Sequence, residues 1–218
     1  MAEPTNSRAR ILASIRMSLG TASAPDTIAA EYASIARTYT RSSGATRPEL
    51  LELLTDRLIE YDAGVYTTTT LTMAESIAQI LAKRGKTGVV IPAGLPQDWL
   101  PGGFVFEVAQ SYDAYQLDRS QGFLSGCTVA IAETGSIVLQ NADGQGARIL
   151  SLVPDYHLCV VFASQVVATV PEAFARLAGT STLPTTFISG PSATADIEMT
   201  RIKGVHGPRF LDILLVED

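Results

Sequence analysis

The chain has 218 residues, 46% of them apolar, which is enough for one sizeable core with a small helical extension. Its formal net charge of −6 argues against a nucleic-acid binder, which shows a basic face. Two cysteines and two histidines cannot house an iron–sulfur cluster by cysteine alone or a histidine-rich zinc site, and no apolar run approaches the roughly 18 residues of a membrane span.

Residues 5–19 read as a helix, capped by Thr5 or Asn6 and stopped at Gly20, with Ile11, Leu12, Ile15 and Leu19 at helical spacing. Residues 20–30 are small and polar and read as a linker. Residues 31–46 begin weakly helical and end in Ser42-Ser43-Gly44. Together 1–46 form an expected N-terminal helical arm, and 47–218 an α/β domain. Pro48 opens a stronger helix over 48–61, whose Leu50, Leu51, Leu54 and Leu58 give a wide apolar face. Val65 to Thr69 is a β-branched strand, 73–84 a helix with Ile77, Ile80 and Leu81 inward, and Val89-Val90-Ile91 a short buried strand closed by Pro92-Ala93-Gly94. Phe104-Val105-Phe106 is a further strand. Strands alternating with helices in this way predict an α/β fold with a largely parallel sheet.

Cys127 to Ala132 and Ser136 to Leu139 read as two strands about the tight turn Glu133-Thr134-Gly135. Asn141 to Gly146 is a polar glycine-rich loop that leads to Arg148. His157 to Ala163 is an apolar strand, and Pro171 to Leu177 a helix. Cys127 and Cys159 lie in apolar runs and read as buried, reduced thiols. The last thirty residues organise the rest. Phe187-Ile188 enters Ser189-Gly190-Pro191-Ser192, then Thr194-Ala195-Asp196-Ile197-Glu198, then Gly204-Val205-His206-Gly207-Pro208, and closes on the strand Leu211 to Val216. This predicts strand–turn–helix, with Ser192 or Thr194 capping a short helix whose N–H groups favour an anion. In α/β folds such sites sit at the carboxyl ends of strands.

The ordered series Ala132-Glu133-Thr134-Gly135-Ser136, Leu152-Val153-Pro154 with His157, Ser189-Gly190-Pro191-Ser192 with Thr194-Ala195-Asp196-Ile197-Glu198, and Gly204-Val205-His206-Gly207-Pro208 resembles the LUD-domain family. Within it, the closest likeness is to the LutC (YkgG-type) lactate-utilisation proteins, over roughly residues 50–216. The resemblance implies a three-layer α/β/α fold like that of sugar-phosphate isomerases, CoA transferases and 5-formyltetrahydrofolate cyclo-ligase. It also implies a part in bacterial oxidation of L-lactate to pyruvate beside LutA/LutB-like iron–sulfur proteins. The clusters are then expected in those partner subunits, with no cofactor in this chain.

The family brings no settled catalytic set, so the site residues come from their chemistry. Glu133 is similar to the glutamate of the Glu–X–Gly turn of CoA transferases, which attacks a thioester; a nucleophilic carboxylate suits acyl transfer. The bland alternative is a turn that needs Gly135 for its backbone, with Thr134 and Ser136 as polar neighbours. Ser189, Gly190, Ser192 and Thr194 form a candidate anion cradle without the P-loop lysine. Asp196 and Glu198, two apart, would point about 200° apart on a helix, so only one of them faces a ligand and no metal site is expected. His206, between glycines, suits acid–base work at a site rim. His157 is either structural or a second ligand to a carboxylate. Arg148 offers a bidentate guanidinium to an anion, or a surface ion pair.

These expectations converge on a LutC-like component of a cytoplasmic lactate-oxidising system that binds a small anionic metabolite, with a homo-oligomer left open. Two other readings stand beside it. One is a stand-alone enzyme on a CoA-linked or phosphorylated substrate with Glu133 as nucleophile or base. The other is a lactate-responsive sensor without catalysis.

Overall fold

The computed structural model describes residues 7–20, 24–109, 113–194, 202–204 and 207–218. The chain divides into two units, Met1–Tyr39 and Thr40–Asp218. The first carries α1 (Ser7–Leu19) and α2 (Pro25–Ser34), neither with a buried residue. Helix α2 starts inside the stretch expected as a linker. Pro25 sits in its first turn, where the missing N–H costs nothing, and Asp26 complements the helix dipole. At the other end the Arg37 guanidinium donates to the carbonyls of Tyr32 and Ile35 at 3.0 Å and lies over the Tyr32 ring. Those bonds cap the carboxyl end of the helix.

The second unit begins with α3 (Arg47–Glu60), where the Thr46 N–H donates to Glu49 at 2.7 Å in a capping box. It continues through β1 (Gly64–Thr69), α4 (Met73–Lys83), β2 (Gly88–Ile91), β3 (Val105–Val108), α5 (Ala114–Asp118) and β4 (Phe123–Ser125). Then come β5 (Val129–Ile131), β6 (Ser136–Gln140), β7 (Tyr156–Phe162), β8 (Val166–Val167), α6 (Val170–Leu177) and β9 (Thr185–Ile188). The chain ends in β10 (Ala193–Thr194), β11 (Ile202–Lys203) and β12 (Phe210–Glu217).

Six strands form the central sheet in the order β1-β12-β7-β4-β2-β3, and every pairing is parallel. The fold is therefore mixed α/β with a parallel central sheet, as its strand–helix alternation predicts. Strands β7 and β12 lie in the middle and read as nearly continuous apolar runs because both faces are covered. One face packs Tyr156, Leu158, Val160, Leu214 and Val216 against Met73, Ile77, Ile80 and Leu81 of α4. The other packs Cys159, Val161, Leu211, Ile213 and Leu215 against Leu54 and Leu58 of α3 and against Ala130, Ile137 and Leu139.

That third layer is only partly helical. A second sheet, β8-β5-β6-β9, shares it with α3. The expected hairpin forms its centre, with Val129 opposite Val138 in antiparallel register. Its far face packs Val129, Ile131 and Val138 on Ala173 and Leu177 of α6. Strands β5, β6 and β8 are thus buried on both sides, which explains why residues 136–139 carry no polar alternation. Helix α6 is fixed by Glu172, which accepts from the N–H groups of Ala168 and Thr169 and from Ser43 far upstream. Burial alone would raise its pKa; those backbone bonds outweigh it and hold the carboxyl below its ordinary value.

A buried charge ties α4 to the sheet. Asp212 of β12 has a fully buried side chain. It accepts from Arg84 Nε at 2.7 Å, Arg84 Nη2 at 2.6 Å and the Tyr156 hydroxyl at 3.0 Å. Gly64 on the neighbouring strand leaves the room: a Cβ there would stand 2.2 Å from Asp212 Oδ1.

Candidate functional site

The organising stretch enters the sheet at the amino end of β12, not at a carboxyl end. Phe210 starts β12, and the Ser192 N–H donates to the Pro208 carbonyl at 2.8 Å just before it. No helix starts at Ser192: Ala193–Thr194 is extended and pairs antiparallel with Ile202–Lys203 in a two-stranded ribbon. The helix expected beyond Thr194 falls outside the described residues. The Gly204 N–H also bonds the Ser192 carbonyl at 3.0 Å, which closes that ribbon onto the turn.

The Glu133 turn reaches the same end of the sheet. Gly135 has φ +58°, and a Cβ there would meet Arg57 Cβ at 2.7 Å and the Arg57 carbonyl carbon at 3.0 Å. Gly190 has φ +80°, and its Cβ would meet Tyr61 Cβ at 2.5 Å. Both turns therefore need glycine twice over, for the left-handed backbone and for close approach. Both rest on the last turn of α3, which leads into the amino end of β1. Antiparallel pairing of β6 with β9 sets Ile137 opposite Ile188. The residues just before and after that pair then meet: Ser136 Oγ lies 2.7 Å from Ser189 Oγ. The Thr134 hydroxyl donates to Ser136 Oγ at 2.8 Å. Thr134, Ser136 and Ser189 thus form one chain of hydroxyls, anchored on a buried residue, Ser136, and ending at an exposed one. Glu133 stands exposed beside it, its N–H bonded to the Ala168 carbonyl at 3.1 Å. Hydroxyls and an exposed carboxylate can hold and orient a polar ligand, and each hydroxyl can donate or accept.

Other candidates fall elsewhere. Arg148 donates to Thr186 Oγ1 at 3.2 Å on β9, and the structure gives it no bond to the hydroxyl chain. His157 is only 1% exposed within β7. Its Nε2 lies 2.8 Å from Ser125 Oγ, its ring stacks on Phe123 at 5.0 Å, and its Nδ1 has no partner among the described residues. Burial pushes its pKa down from 6.5 to about 3, so it is neutral near pH 7. It does not join a cleft with the Glu133 turn; the apolar run that makes β7 a central strand also carries His157 into the core. Asp196 and His206 lie outside the described residues, as does the side chain of Thr194. The glycines flanking the His206 turn are described. A Cβ on Gly207 would lie 3.6 Å from Ser192 Cβ, so Gly207 adjoins the cradle.

Cys127 and Cys159 are buried and unbridged. The neighbouring Cys159 thiol, with burial, pushes the Cys127 thiol well above its ordinary pKa, which keeps it protonated and unreactive. Among the described residues no group of three His, Cys, Asp or Glu is placed to hold a metal ion, and no helix is long and apolar enough to cross a membrane. The supports that sequence reasoning missed are Arg57 and Tyr61. Their only signal is the pair of glycines they face, nearly eighty and about a hundred and thirty residues further on.

A parallel α/β sheet with glycine-bound hydroxyl turns at one end defines the class of protein. Comparison with known proteins narrows it. The chain belongs to the LUD domain family, whose pattern matches residues 49–216. A relative named lactate utilization protein C from Deinococcus radiodurans is 40% identical over 174 residues, covering 78% of this chain and 81% of that one. Another of that name from Macrococcus caseolyticus is 29% identical over 190 residues, covering 81% of each chain. Among solved structures, a DUF162 family protein from Deinococcus radiodurans, at 1.70 Å resolution, superimposes with a TM-score of 0.69 at 35% identity, over 79% of this chain and 99% of that one.

Proposed function

We propose that this chain serves lactate utilisation in the cytoplasm, as a LutC-like component of L-lactate oxidation to pyruvate. It holds a small anionic metabolite against the turns 133–136 and 189–192 and works beside LutA/LutB-like iron–sulfur proteins, which carry the redox chemistry. Support for the process comes from the relatives named for it, one of them 40% identical over about four-fifths of both chains. Support for the site rests on one observation, the 2.7 Å contact between Ser136 and Ser189 that joins two turns 53 residues apart. In this reading the hydroxyls donate to the acid's oxygens, and His206 and Asp196 complete the rim. Glu133 faces the same rim and repels a second anion, so it orients the acid rather than binding its carboxylate.

The test is deletion of the chain in its native host, followed by growth and L-lactate oxidation, with affinity purification and mass spectrometry of a tagged copy. Lost lactate oxidation, restored by the wild type but weakly by Ser189→Ala, with iron–sulfur proteins recovered on the tag, is the expected result. Unchanged lactate oxidation with the chain recovered alone would overturn the proposal. A covalent acyl adduct on Glu133 that disappears in Glu133→Gln would transfer the reading to a stand-alone acyl-transfer enzyme.

A further inference from the structure

The parallel sheet has a second end, and its topology singles out one place there. From β2 the chain winds outward to the edge strand β3, then returns on the other side of β2 to β4, and from there toward β7 and β12. The winding direction reverses between β2 and β4. In open parallel sheets the crevice outside the carboxyl ends at such a reversal is where ligands bind, because the two connecting segments diverge and leave a gap.

Here the glycine-rich loop 141–146 lies over that gap. The Gly144 N–H donates to the Ala93 carbonyl just beyond β2 at 2.8 Å, and the Gly126 N–H just beyond β4 donates to the Gly144 carbonyl at 2.9 Å. One residue thus spans both strand ends. Close approach is again made by glycine. A Cβ on Gly94 would stand 2.6 Å from Asp143 Cβ, and one on Gly146 2.9 Å from Pro92 Cβ. Beside the bridge remains a cavity of about 160 Å³, lined by Pro92, Ala93, Ala109, Asn141, Asp143 and Leu150 among others. That is room for about five waters or one very small molecule. The Asn141 amide and the Asp143 carboxylate are exposed, and neither side chain makes a hydrogen bond with another described residue.

We infer that this cavity is a second ligand site, separate from the hydroxyl turns at the opposite end of the sheet, and that it takes a small hydroxyl- or ammonium-bearing molecule rather than an acid. The carboxylate of Asp143 accepts hydrogen bonds and offers none, so it selects donors and disfavours a carboxylate or phosphate. Asn141 supplies one donor group and one acceptor group to a neighbouring hydroxyl. The chain's overall negative charge acts in the same direction. Leu150 and Pro92 close the inner wall, so only a short carbon chain fits.

Ethanolamine carries both groups and serves as the probe. The full chain, labelled with ¹⁵N, is titrated with ethanolamine and separately with L-lactate while amide shifts are followed. Saturable ethanolamine shifts at Ala93, Asn141, Asp143, Gly144 and Gly146 are expected, with L-lactate leaving those amides in place. Asp143→Asn keeps the shape and removes the charge, and it should weaken ethanolamine about fivefold or more, the weight of one charge-assisted bond. Ala142→Leu fills the cavity and should abolish the shifts. Its folding is checked by the unchanged amide pattern of β7 and β12. Absence of shifts at tens of millimolar ethanolamine overturns the site. Equal affinity in Asp143→Asn, or L-lactate shifting the same amides, overturns the ligand class.

Discussion

Arg84→Met isolates the strongest electrostatic commitment in the fold. The substitution removes two of the three donors to Asp212, those at 2.7 and 2.6 Å, and leaves only the Tyr156 hydroxyl at 3.0 Å. The carboxylate cannot turn out to bulk water, since its side chain is fully buried. Breaking a buried pair from one side costs roughly 3–5 kcal/mol, most of it the penalty of the charge left behind. Arg84 itself is 30% exposed, so water reaches part of the vacated site and the loss belongs at the low end, about 3 kcal/mol. With a urea m-value of about 2 kcal/mol/M, the unfolding midpoint should fall by about 1.5 M. Arg84→Lys keeps the charge without the fork and should lose about half as much. The double variant Arg84→Met/Asp212→Asn removes the orphaned charge and should be more stable than Arg84→Met alone. A single-variant loss below about 1 kcal/mol, or a double variant no better than the single, would refute the view that the buried carboxylate dominates.

Three further outcomes follow from the same geometry. His157 has a folded pKa depressed to about 3 against an ordinary 6.5, so the unfolded chain binds a proton that the folded chain does not between those values. Its contribution is therefore lost as pH falls through that window, at about 1.4 kcal/mol per unit. His157→Gln should flatten urea midpoints measured from pH 6.5 to 4.5 relative to wild type, and parallel curves would show that the ring is not held neutral. Ser136→Ala and Ser189→Ala should each destabilise mildly, with a coupling of about 1 kcal/mol in the double-mutant cycle; strict additivity would mean that the hydroxyl contact does not form in solution. Gly190→Ala should cost about 2 kcal/mol or more in thermal unfolding, because of its positive φ and the Tyr61 contact, while Gly179→Ala, with open space around it, should be neutral to slightly stabilising. Equal effects at the two glycines would argue against the packing of the 189–192 turn on α3.

Local pattern determined the elements whose environment is uniform. Helices α3 and α4 announce themselves by apolar faces at helical spacing, and β7 and β12 by nearly continuous apolar runs, because burial on one stripe or on both faces leaves its mark in the residues themselves. The 129–140 hairpin was legible for the same reason, with Gly135 marking its turn. Helix α2 was not, since Ala, Thr and Asp around Pro25 suit a linker as well as an exposed helix. Strands β4 and β8, three and two residues long, are too short to show any period.

The site was legible as a set of motifs but not as a place. Glu133, Ser189 and His206 stand out because glycine flanks polar groups, and glycine reports a backbone need. The residue that a glycine makes room for is a tertiary fact. Arg57 and Tyr61 are distant in sequence from Gly135 and Gly190, and nothing in their own neighbourhood marks them. The burial of His157 had the same character. Its run reads as a strand, but only the sheet order, with β7 flanked by β4 and β12, shows that both of its faces are closed. Sheet order also decided which end of the strands each loop occupies. It set the organising stretch at the amino end of β12 and the 141–146 loop over the reversal between β2 and β4, because direction and neighbour in a parallel sheet are fixed by crossover connections and not by the residues of any one strand.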